Sequence, residues 1–442
     1  MATLWCEYAW LGGDGVEDGV EIEIEGARIA AVRIAAPQVP GSERLEGVVL
    51  PGLANAHSHA FQRALRGRTQ VVGADSFWTW RELMYRLAGT LDPEGIHALA
   101  RAVYGEMAEA GVTVVGEFHY LHHAPDGRPY PDANETGRRM LAAAAEVGLR
   151  VTLLDTCYLH GGIGKPPDAV QRRFADADAD AWAARVEELL PLAGTGVRIG
   201  AAVHSVRAVD PASIEQVAEW AAARAAPLHA HLSEQPAENA ACLTAYHATP
   251  ATVMEDAGAL GPGFTAVHAT HLSDADVDLV GRAGATVCLC PTTERDLADG
   301  VGPASRLVRA GAALCLGSDS HVVVDPFEEA RAVELDERLV TLRRGVHTSR
   351  DLLRAATERG YRSLGWGDGG RIEPGALADL VVVSRDGSRL AGLPAASLVD
   401  GVVHAASAGD VTAVMVDGRW VVREGRHVAL DVPALLREAI TP

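Results

Sequence analysis

The chain has 442 residues, of which 48% are hydrophobic and 22% charged, so a large core can form and general disorder is excluded. Asp and Glu number 59 against 39 Lys and Arg, which gives a formal net charge of -20. So acidic a chain is a poor candidate for nucleic-acid binding, because that affinity comes largely from phosphate neutralisation. The same charge would repel an anionic small molecule, so a few local cations would have to hold such a substrate.

The N-terminal sequence MATLWCEYAW has no basic segment followed by a long apolar run, so we expect no signal peptide. No uncharged apolar stretch reaches the roughly 18 residues of a membrane helix, so we expect a cytoplasmic protein without a membrane partner. Six scattered cysteines without a C-x-x-C pair do not suggest a disulfide framework. Buried hydrophobic positions are favoured for Cys288 and Cys290, and metal binding is the less favoured alternative.

Turn-bounded segments typical of β-strands occur at both ends of the chain. Near the N-terminus we predict strands at residues 5–11, 20–25 and 28–34. Near the C-terminus we predict strands at residues 380–383, 411–416 and 420–422, the last two joined as a hairpin by the turn DGRW. We therefore expect a small β-sandwich domain built from residues 1–50 and 365–442.

Residues 51–364 alternate between apolar strand-like runs and Ala-rich helical segments. The eight apolar runs end at Ala56, Phe118, Cys157, Val203, Ala230, Val267, Cys290 and Gly317. Helices are predicted between them at residues 97–110, 135–147, 181–190, 211–224, 237–246, 274–283 and 304–310. Continuous apolar runs are typical of strands buried on both faces, so the alternation predicts an α/β fold, a (β/α)8 TIM-like barrel.

Polar side chains stand at the ends of most of the predicted barrel strands, on the face that carries the active site in such barrels. They are Glu117, His119, Tyr120, His204, His231, His268 and Asp319, together with His57 and His59 after the first strand. Buried imidazoles and carboxylates cost several kcal/mol unless they are paired or bind a metal. This pattern favours a functional site over core packing.

Each motif alone also has a less specific explanation. His57 and His59 would point the same way on an extended strand, but a bare H-x-H is more often two exposed histidines on a turn. The spacing of His231 and Glu234 arises by chance at helix starts, and an isolated Asp319 is more often a helix N-cap. Together, in this order on successive strand ends, the set is far more specific than any one member.

The pattern resembles the amidohydrolase superfamily, in its mononuclear deaminase branch. The segments PGLANAHSH and GALADLVVVS resemble the family's passages between its end domain and its barrel, so the resemblance covers nearly the whole chain. The segments AHSHAFQRALRG, DSFWTWRELMYRL, GEFHYLHH and HLSEQ are similar to those of the formimidoylglutamate deiminases. Those enzymes convert N-formimino-L-glutamate to N-formyl-L-glutamate and ammonia in histidine degradation.

The resemblance implies one divalent ion, zinc, and a small dicarboxylate substrate. The implied metal ligands are His57, His59, His231 and Asp319. The implied catalytic residues are Glu234, His268 and Asp319. The implied substrate-binding residues are Gln62, Arg81, Tyr120, His204 and Arg207. No lysine ends the fourth strand, where binuclear relatives carry a bridging carbamylated lysine, and this favours a single ion.

Two other functions stay open. A deaminase of the same branch acting on an amino-heterocycle, of guanine, cytosine or triazine type, would share every metal residue. Its flat substrate would need stacking and amide-edge contacts, whereas Arg81 and Arg207 suit two carboxylates. A scaffold without a metal would have lost ligands, yet every ligand is present.

Some features stay without a specific role at this point. A loop or supporting role is favoured for the cluster His119, His122 and His123, and a core position for His229. The aromatic segment FWTW is either core packing or part of a subunit contact. We also expect a homodimer.

Overall fold

A computed structural model describes residues 2–70 and 76–440 of the chain. Asp75, the first residue of the DSFWTW segment, and residues 1, 441 and 442 of the predicted end domain lie outside this part. The strands are β1 Ala2–Ala9, β2 Glu17–Glu25, β3 Arg28–Arg33, β4 Glu43–Pro51, β5 Leu53–Ser58, β6 Val112–His119, β7 Arg150–Cys157, β8 Val197–Val203, β9 Leu228–Leu232, β10 Phe264–His268, β11 Thr286–Leu289, β12 Ala313–Leu316, β13 Leu380–Val383, β14 Val411–Val416, β15 Arg419–Arg423 and β16 Arg426–His427.

The α-helices lie between and around these strands. They are α1 Phe77–Ala88, α2 Pro93–Glu109, α3 Glu135–Val147, α4 Ala179–Glu187, α5 Pro211–Ala223, α6 Pro236–Tyr246, α7 Pro250–Asp256, α8 Asp274–Arg282, α9 Pro291–Asp296, α10 Ala304–Ala310, α11 Pro326–Thr341, α12 Ser349–Arg354, α13 Gly360–Ser363, α14 Leu398–Ala405 and α15 Val432–Ile440. Within the described residues, no helix combines the length and apolar character needed to cross a membrane.

The barrel consists of β5 to β12, eight parallel strands that are neighbours in chain order. A backbone bridge between Ser58 and Asp319 joins the end of β5 to the segment after β12 and closes the sheet on itself. The strands from β5 to β11 are buried along most of their length, as expected for strands covered on both faces. The predicted (β/α)8 barrel is therefore confirmed.

The second sheet contains strands from both ends of the chain, in the order β16-β15-β14-β13-β4-β1-β2-β3. Its own apolar cluster includes Leu4, Ile22, Val49 and Met415. The hairpin predicted at DGRW joins β14 to β15, with positive φ at Asp417 and Gly418, as a type I′ turn requires. A separate sheet built from both ends of the chain is thus confirmed, while the domain boundaries at 50/51 and 364/365 stay a prediction.

Strand β4 was not predicted, and it connects the two sheets. It pairs in parallel with β1 and antiparallel with β13. Its last residue, Pro51, is followed by Gly52, and β5 begins directly after Gly52. A Cβ atom on Gly52 would lie 2.2 Å from Thr113 Oγ1 and 2.7 Å from the Tyr361 hydroxyl. Glycine at this position allows the chain to pass directly from one sheet into the other.

A buried ion pair lies at the same junction. Arg150 on β7 donates from Nε to Asp379 Oδ2 at 2.7 Å, and the Tyr361 hydroxyl donates to the same oxygen at 2.8 Å. The N–H of Asp417, in the β14–β15 turn, donates to Asp379 Oδ1 at 2.8 Å. This cluster joins the barrel to the second sheet through charged and polar groups.

Several helices were not predicted, α1, α14 and α15 among them. The sequence of α14, LVDGVVHA, is rich in β-branched residues, which favour strands. Helix α15 packs closely on α2 at Gly105. A Cβ atom on Gly105 would lie only 2.8 Å from Val432 Cγ2, so the missing side chain makes room for α15. Tertiary packing therefore determines that these segments are helical, although their own helix propensities are weak.

Candidate active site

Three of the predicted ligand residues meet where the barrel closes. The backbone of Asp319 lies between those of His57 and His59, because its N–H donates to the His57 carbonyl at 3.0 Å and its carbonyl accepts from the His59 N–H at 3.1 Å. The Oδ1 atom of Asp319 then lies 3.4 Å from His57 Nε2 and 3.5 Å from His59 Nε2. The φ angle of Asp319 is +46°, in the left-handed region that non-glycine residues seldom adopt.

The fourth predicted ligand, His231, comes from β9. Its Nε2 lies 3.2 Å from His57 Nε2 and 3.4 Å from His59 Nε2. The Nδ1 of His59 donates to the Phe118 carbonyl at 3.0 Å, and the Nδ1 of His231 donates to the His204 carbonyl at 2.9 Å. Because these bonds keep the hydrogen on Nδ1, the Nε2 lone pairs of both rings point into the cluster. Burial lowers the pKa of His59 to about 3, which keeps its ring neutral.

The cluster has the dimensions of a tetrahedral metal site. An ion with bonds of ~2.0–2.2 Å holds its four ligand atoms ~3.3–3.6 Å apart. The Nε2 atoms of His57 and His59 each lie 3.2–3.5 Å from both His231 Nε2 and Asp319 Oδ1, which accounts for four of the six distances among the four ligand atoms. Converging imidazole lone pairs repel one another unless a cation lies between them, and imidazole with carboxylate is a ligand set that suits zinc. The residues therefore fit one divalent ion.

His268 lies beside the cluster at the end of β10. Its Nε2 is 3.9 Å from Asp319 Oδ2 and 3.9 Å from Glu234 Oε1, and its Nδ1 is 3.2 Å from Glu294 Oε1. Burial lowers the pKa of His268, but the hydrogen bond to Glu294 and the neighbouring carboxylates outweigh it and raise that pKa to about 10. The imidazole can therefore hold a proton next to Asp319 and Glu234.

Sequence reasoning missed Glu294. Its Oε1 accepts both from His268 Nδ1 and from the N–H of Cys290 at 2.9 Å, so it fixes the orientation of the His268 ring. The signal was present, since Glu294 closely follows the seventh apolar run, for which no polar candidate was named. Cys290 and Cys288 are buried, as predicted. Burial raises the pKa of both thiols well above the ordinary range, which disfavours the thiolate that a metal would bind.

A cavity opens above the cluster, and it brings nearly all the predicted site residues together. Those that line it are His59, Gln62, Arg81, Tyr120, His204, Arg207, His231, Glu234, His268 and Asp319. His57 lies beneath it, fully buried. The remaining wall includes five aromatic side chains whose place there was not predicted: Phe77, Trp80, Tyr85, Tyr158 and Phe174. Trp80 is a buried residue of the FWTW segment and belongs to the same apolar core as the barrel, which favours the core-packing interpretation of that segment.

Gln62 and Tyr120 form a polar pair in this wall. The Nε2 of Gln62 donates to the Tyr120 hydroxyl at 3.1 Å. The Oε1 of Gln62 is buried and accepts no hydrogen bond from the described part of the chain. A buried acceptor without a partner is costly, so it can bind an N–H group of a ligand.

Arg81 and Arg207 are the only Lys or Arg side chains of the described chain that line the cavity. The Arg81 guanidinium lies over the Trp78 ring, 4.5 Å from its centroid. The Nη2 of Arg207 donates to Glu234 Oε2 at 3.0 Å. Burial lowers the pKa of Arg207, but Glu238 and Glu234 outweigh it and hold that pKa above its ordinary value. Both arginines can therefore offer positive charge to an anion inside an acidic protein.

The four histidines for which a supporting or core position was predicted bond to structural neighbours. His119 Nε2 lies 3.2 Å from Thr136 Oγ1, while His122, His123 and His229 bond to the backbone carbonyls of Thr156, Ala175 and Ser363 at 2.9–3.1 Å. Among the described residues, none of these four belongs to a group of three or more side chains that could hold a metal. Their contacts agree with the predicted supporting and core positions.

Left-handed backbone is concentrated around the site. The non-glycine residues with positive φ there are Ser233, His268, Ala269, Asp319 and His321. Such conformations cost on the order of 1–3 kcal/mol each and cluster at functional sites, where the surrounding structure enforces them. The strand ends are thus bent to direct side chains into the cavity.

Comparisons with known proteins agree with this architecture. The family model described as Amidohydrolase family matches residues 48–421. The chain is 39% identical over 438 residues to formimidoylglutamate deiminase of Pseudomonas aeruginosa, covering 97% of this chain and 96% of the relative. It is similar to the crystal structure of an amidohydrolase from Brucella melitensis, with a TM-score of 0.91 and 35% identity over 100% of this chain and 99% of that one. An adenosine deaminase from Xanthomonas campestris with bound zinc has a TM-score of 0.86 and 25% identity, covering 99% and 96%. The chain belongs to the amidohydrolase family.

Proposed function

We propose that this protein hydrolyses N-formimino-L-glutamate to N-formyl-L-glutamate and ammonia, as part of histidine degradation. The observation that carries the proposal is one cavity in which Arg81 and Arg207 stand in the same wall as the His and Asp cluster. A substrate with carboxylates and a C=N carbon needs both kinds of group. The relative from Pseudomonas aeruginosa that is 39% identical along nearly the whole chain supports the same substrate.

We infer that His57, His59, His231 and Asp319 hold one divalent ion, zinc by similarity to the zinc-containing relative. When bound, such an ion supplies Lewis acidity that lowers the pKa of water from 15.7 towards 7. Three of the residues that would hold the ion, His59, His231 and Asp319, line the cavity, so water and substrate could reach the ion from that side. His268, within 3.9 Å of Asp319 Oδ2, helps to orient that water.

The proton transfers are assigned to Glu234. The water oxygen adds to the formimino carbon, and Glu234 takes the proton that the water loses. Glu234 passes this proton to the terminal nitrogen, which becomes an NH2 group on a tetrahedral carbon. The hydroxyl of this adduct then loses its proton through Glu234 to the same nitrogen, so the C–N bond breaks, the oxygen forms the C=O bond of the formyl group, and ammonia leaves. Glu234 suits this role because its carboxylate lines the cavity and lies 3.9 Å from His268 Nε2.

Recognition of the substrate is assigned to five side chains. Arg81 and Arg207 pair with its carboxylates, because a planar guanidinium donates two hydrogen bonds to such a group. The unpartnered Oε1 of Gln62 accepts an N–H of the formimino end. Tyr120 and His204 complete the wall around the substrate chain.

The test is ammonia release by the zinc-loaded enzyme from N-formimino-L-glutamate, beside a panel of amino-purines, amino-pyrimidines and amino-triazines. We expect the formimino compound to have the highest kcat/KM by a wide margin. If an amino-heterocycle is preferred, the substrate assignment is wrong and the protein is a heterocycle deaminase of the same family. A cytoplasmic location and a homodimer stay predictions, for which fractionation and light scattering are the measurements.

A further inference from the structure

Glu238 is a buried acidic residue close to the candidate site, and it has no role in the proposed reaction. It lies in the first turn of α6, and its side chain is fully shielded from solvent. Its Oε2 lies 3.6 Å from Arg207 Nε, while Arg207 Nη2 donates to Glu234 Oε2 at 3.0 Å on its other side. Glu238 is not part of the cavity wall, whereas Arg207 and Glu234 are. Arg207 therefore lies between a carboxylate inside the cavity and one behind it.

The backbone connects Glu238 to Glu234 as well. Glu238 Oε1 accepts from the N–H of Ser233 at 3.3 Å, and Ser233 directly precedes Glu234. Ser233 has a φ of +50°, so its backbone is held in the left-handed region. A single carboxylate thus contacts the recognition residue through its side chain and the proton-transfer residue through the peptide group beside it.

The charges explain why two carboxylates are needed. The Arg207 side chain is only 17% exposed, and a cation so largely removed from water is costly unless it is paired. When Glu234 takes up a proton during turnover, its charge is lost and Arg207 keeps Glu238 as its partner. Without the Glu238 charge, Arg207 would have Glu234 as its remaining ionised partner, and an adjacent cation favours the ionised form of a carboxylate.

Resting on the proposed function, we propose that Glu238 is a positioning residue that holds Arg207 at the cavity wall and so frees Glu234 to carry a proton. Burial raises the pKa of Glu238 and Arg207 opposes this, as expected for a carboxylate kept in place by one buried cation. Through this contact the residue that binds a substrate carboxylate is coupled to the residue that moves the proton.

Glu238→Gln in the zinc-loaded enzyme tests this role, with N-formimino-L-glutamate as substrate. We expect kcat to fall by at least ~10-fold, the usual effect of a residue that orients an active-site group, and KM to rise as well because Arg207 also binds a substrate carboxylate. Zinc content and the melting temperature serve as checks on folding. Glu337→Gln is the matched control, because Glu337 is also a buried glutamate but bonds to Ser305 on α10. It should keep the native kcat.

A second comparison separates positioning from a general structural role. In an Arg207→Gln background, Glu238→Gln should change kcat by less than ~2-fold, because residues that act through one another are not additive. The double variant removes one charge of each sign and leaves Glu234, which lines the cavity, so its melting temperature should lie closer to the native value than that of Arg207→Gln alone. A further large loss of kcat in that background would overturn the proposal.

The outcomes also separate the two proposals. If the native enzyme does not act on N-formimino-L-glutamate, the proposed function is wrong and the role of Glu238 fails with it. If the native enzyme is active and Glu238→Gln keeps its kcat, or changes KM alone, only the positioning role is overturned.

Discussion

Asp319 and His57 stand at opposite ends of the barrel sequence, yet the N–H of Asp319 donates to the His57 carbonyl and its carboxylate lies 3.4 Å from His57 Nε2. The first contact closes the sheet between β5 and β12, and the second forms part of the proposed metal site. Barrel closure and assembly of that site are therefore the same structural event. A metal bound there would also stabilise the closed barrel, because a ligand that binds only the folded state shifts the folding equilibrium.

The first prediction concerns the metal. Purified protein should contain close to one divalent ion per chain, since the Nε2 atoms of His57 and His59 each lie 3.2–3.5 Å from both His231 Nε2 and Asp319 Oδ1. Elemental analysis measures this, and chelation should abolish turnover reversibly. Asp319→Asn should lose most of the metal. Two tightly bound ions per chain, or full activity without metal, would contradict the mononuclear assignment.

The second prediction concerns the proton. Glu234→Gln should lower kcat by ~10²–10⁴-fold, the usual contribution of general acid–base catalysis. It should keep its metal, because Glu234 is not among the proposed ligands. Steady-state kinetics with parallel zinc analysis is the measurement. A variant with near-native kcat would show that the proton moves by another route.

The third prediction concerns recognition of the carboxylates. Arg81→Met should lower kcat/KM for N-formimino-L-glutamate by well over tenfold, since removing one partner of a desolvated charge pair commonly costs ~2–5 kcal/mol. Arg86 lies on the same helix, exposed to solvent, so Arg86→Met is the matched control and should leave kcat/KM unchanged. Equal kinetics for both variants would exclude Arg81 as an anchor.

The fourth prediction concerns the orientation of His268. Glu294→Gln removes the charged acceptor of His268 Nδ1, so kcat should fall by roughly 10–100-fold while the metal is retained. Asp319→Asn serves as the contrasting variant, because it should lose metal as well as rate. Native kcat in Glu294→Gln would mean that the His268 ring is held by its other neighbours.

The fifth prediction concerns stability at the junction of the two sheets. Asp379→Asn leaves the buried Arg150 without its main charged partner, so the free energy of unfolding should fall by ~3–5 kcal/mol. Asp368 pairs with Arg28 where both side chains are largely exposed, and Asp368→Asn should cost ~1 kcal/mol or less. Urea denaturation followed by circular dichroism measures both. Equal losses would mean that burial of the ion pair contributes nothing.

The strands of the barrel and the terminal strands β13 and β14 could be predicted, because short apolar runs bounded by turns have few alternatives. Helix α14 and strand β4 could not. Helix α14 is rich in β-branched residues, which favour strands. Strand β4 forms because it pairs with β1 and β13, which come from the two ends of the chain. The helix and strand propensities of a segment predict its structure poorly where such long-range contacts determine it.

The sequence by itself determined the types of chemical group at the site and their order along the chain. His57, His59, His231, His268 and Asp319 lie at or just after the ends of β5, β9, β10 and β12, and parallel strands bring their carboxyl ends to one face. Glu238 was hidden from this reasoning, since an acidic residue in the first turn of a helix is commonplace there. Burial beside Arg207 is what distinguishes it, and burial depends on residues distant in sequence.

Only the tertiary structure decided how these groups are oriented. The carbonyls of Phe118 and His204 hold the hydrogens of His59 and His231 on Nδ1, so that both Nε2 lone pairs point into the cluster, where the two Nε2 atoms are 3.4 Å apart. Hydrogen-bond direction and ion pairing depend on distances of a few tenths of an ångström between atoms from different strands. A linear pattern of residues carries the identity of these atoms, whereas their distances follow from closure of the barrel.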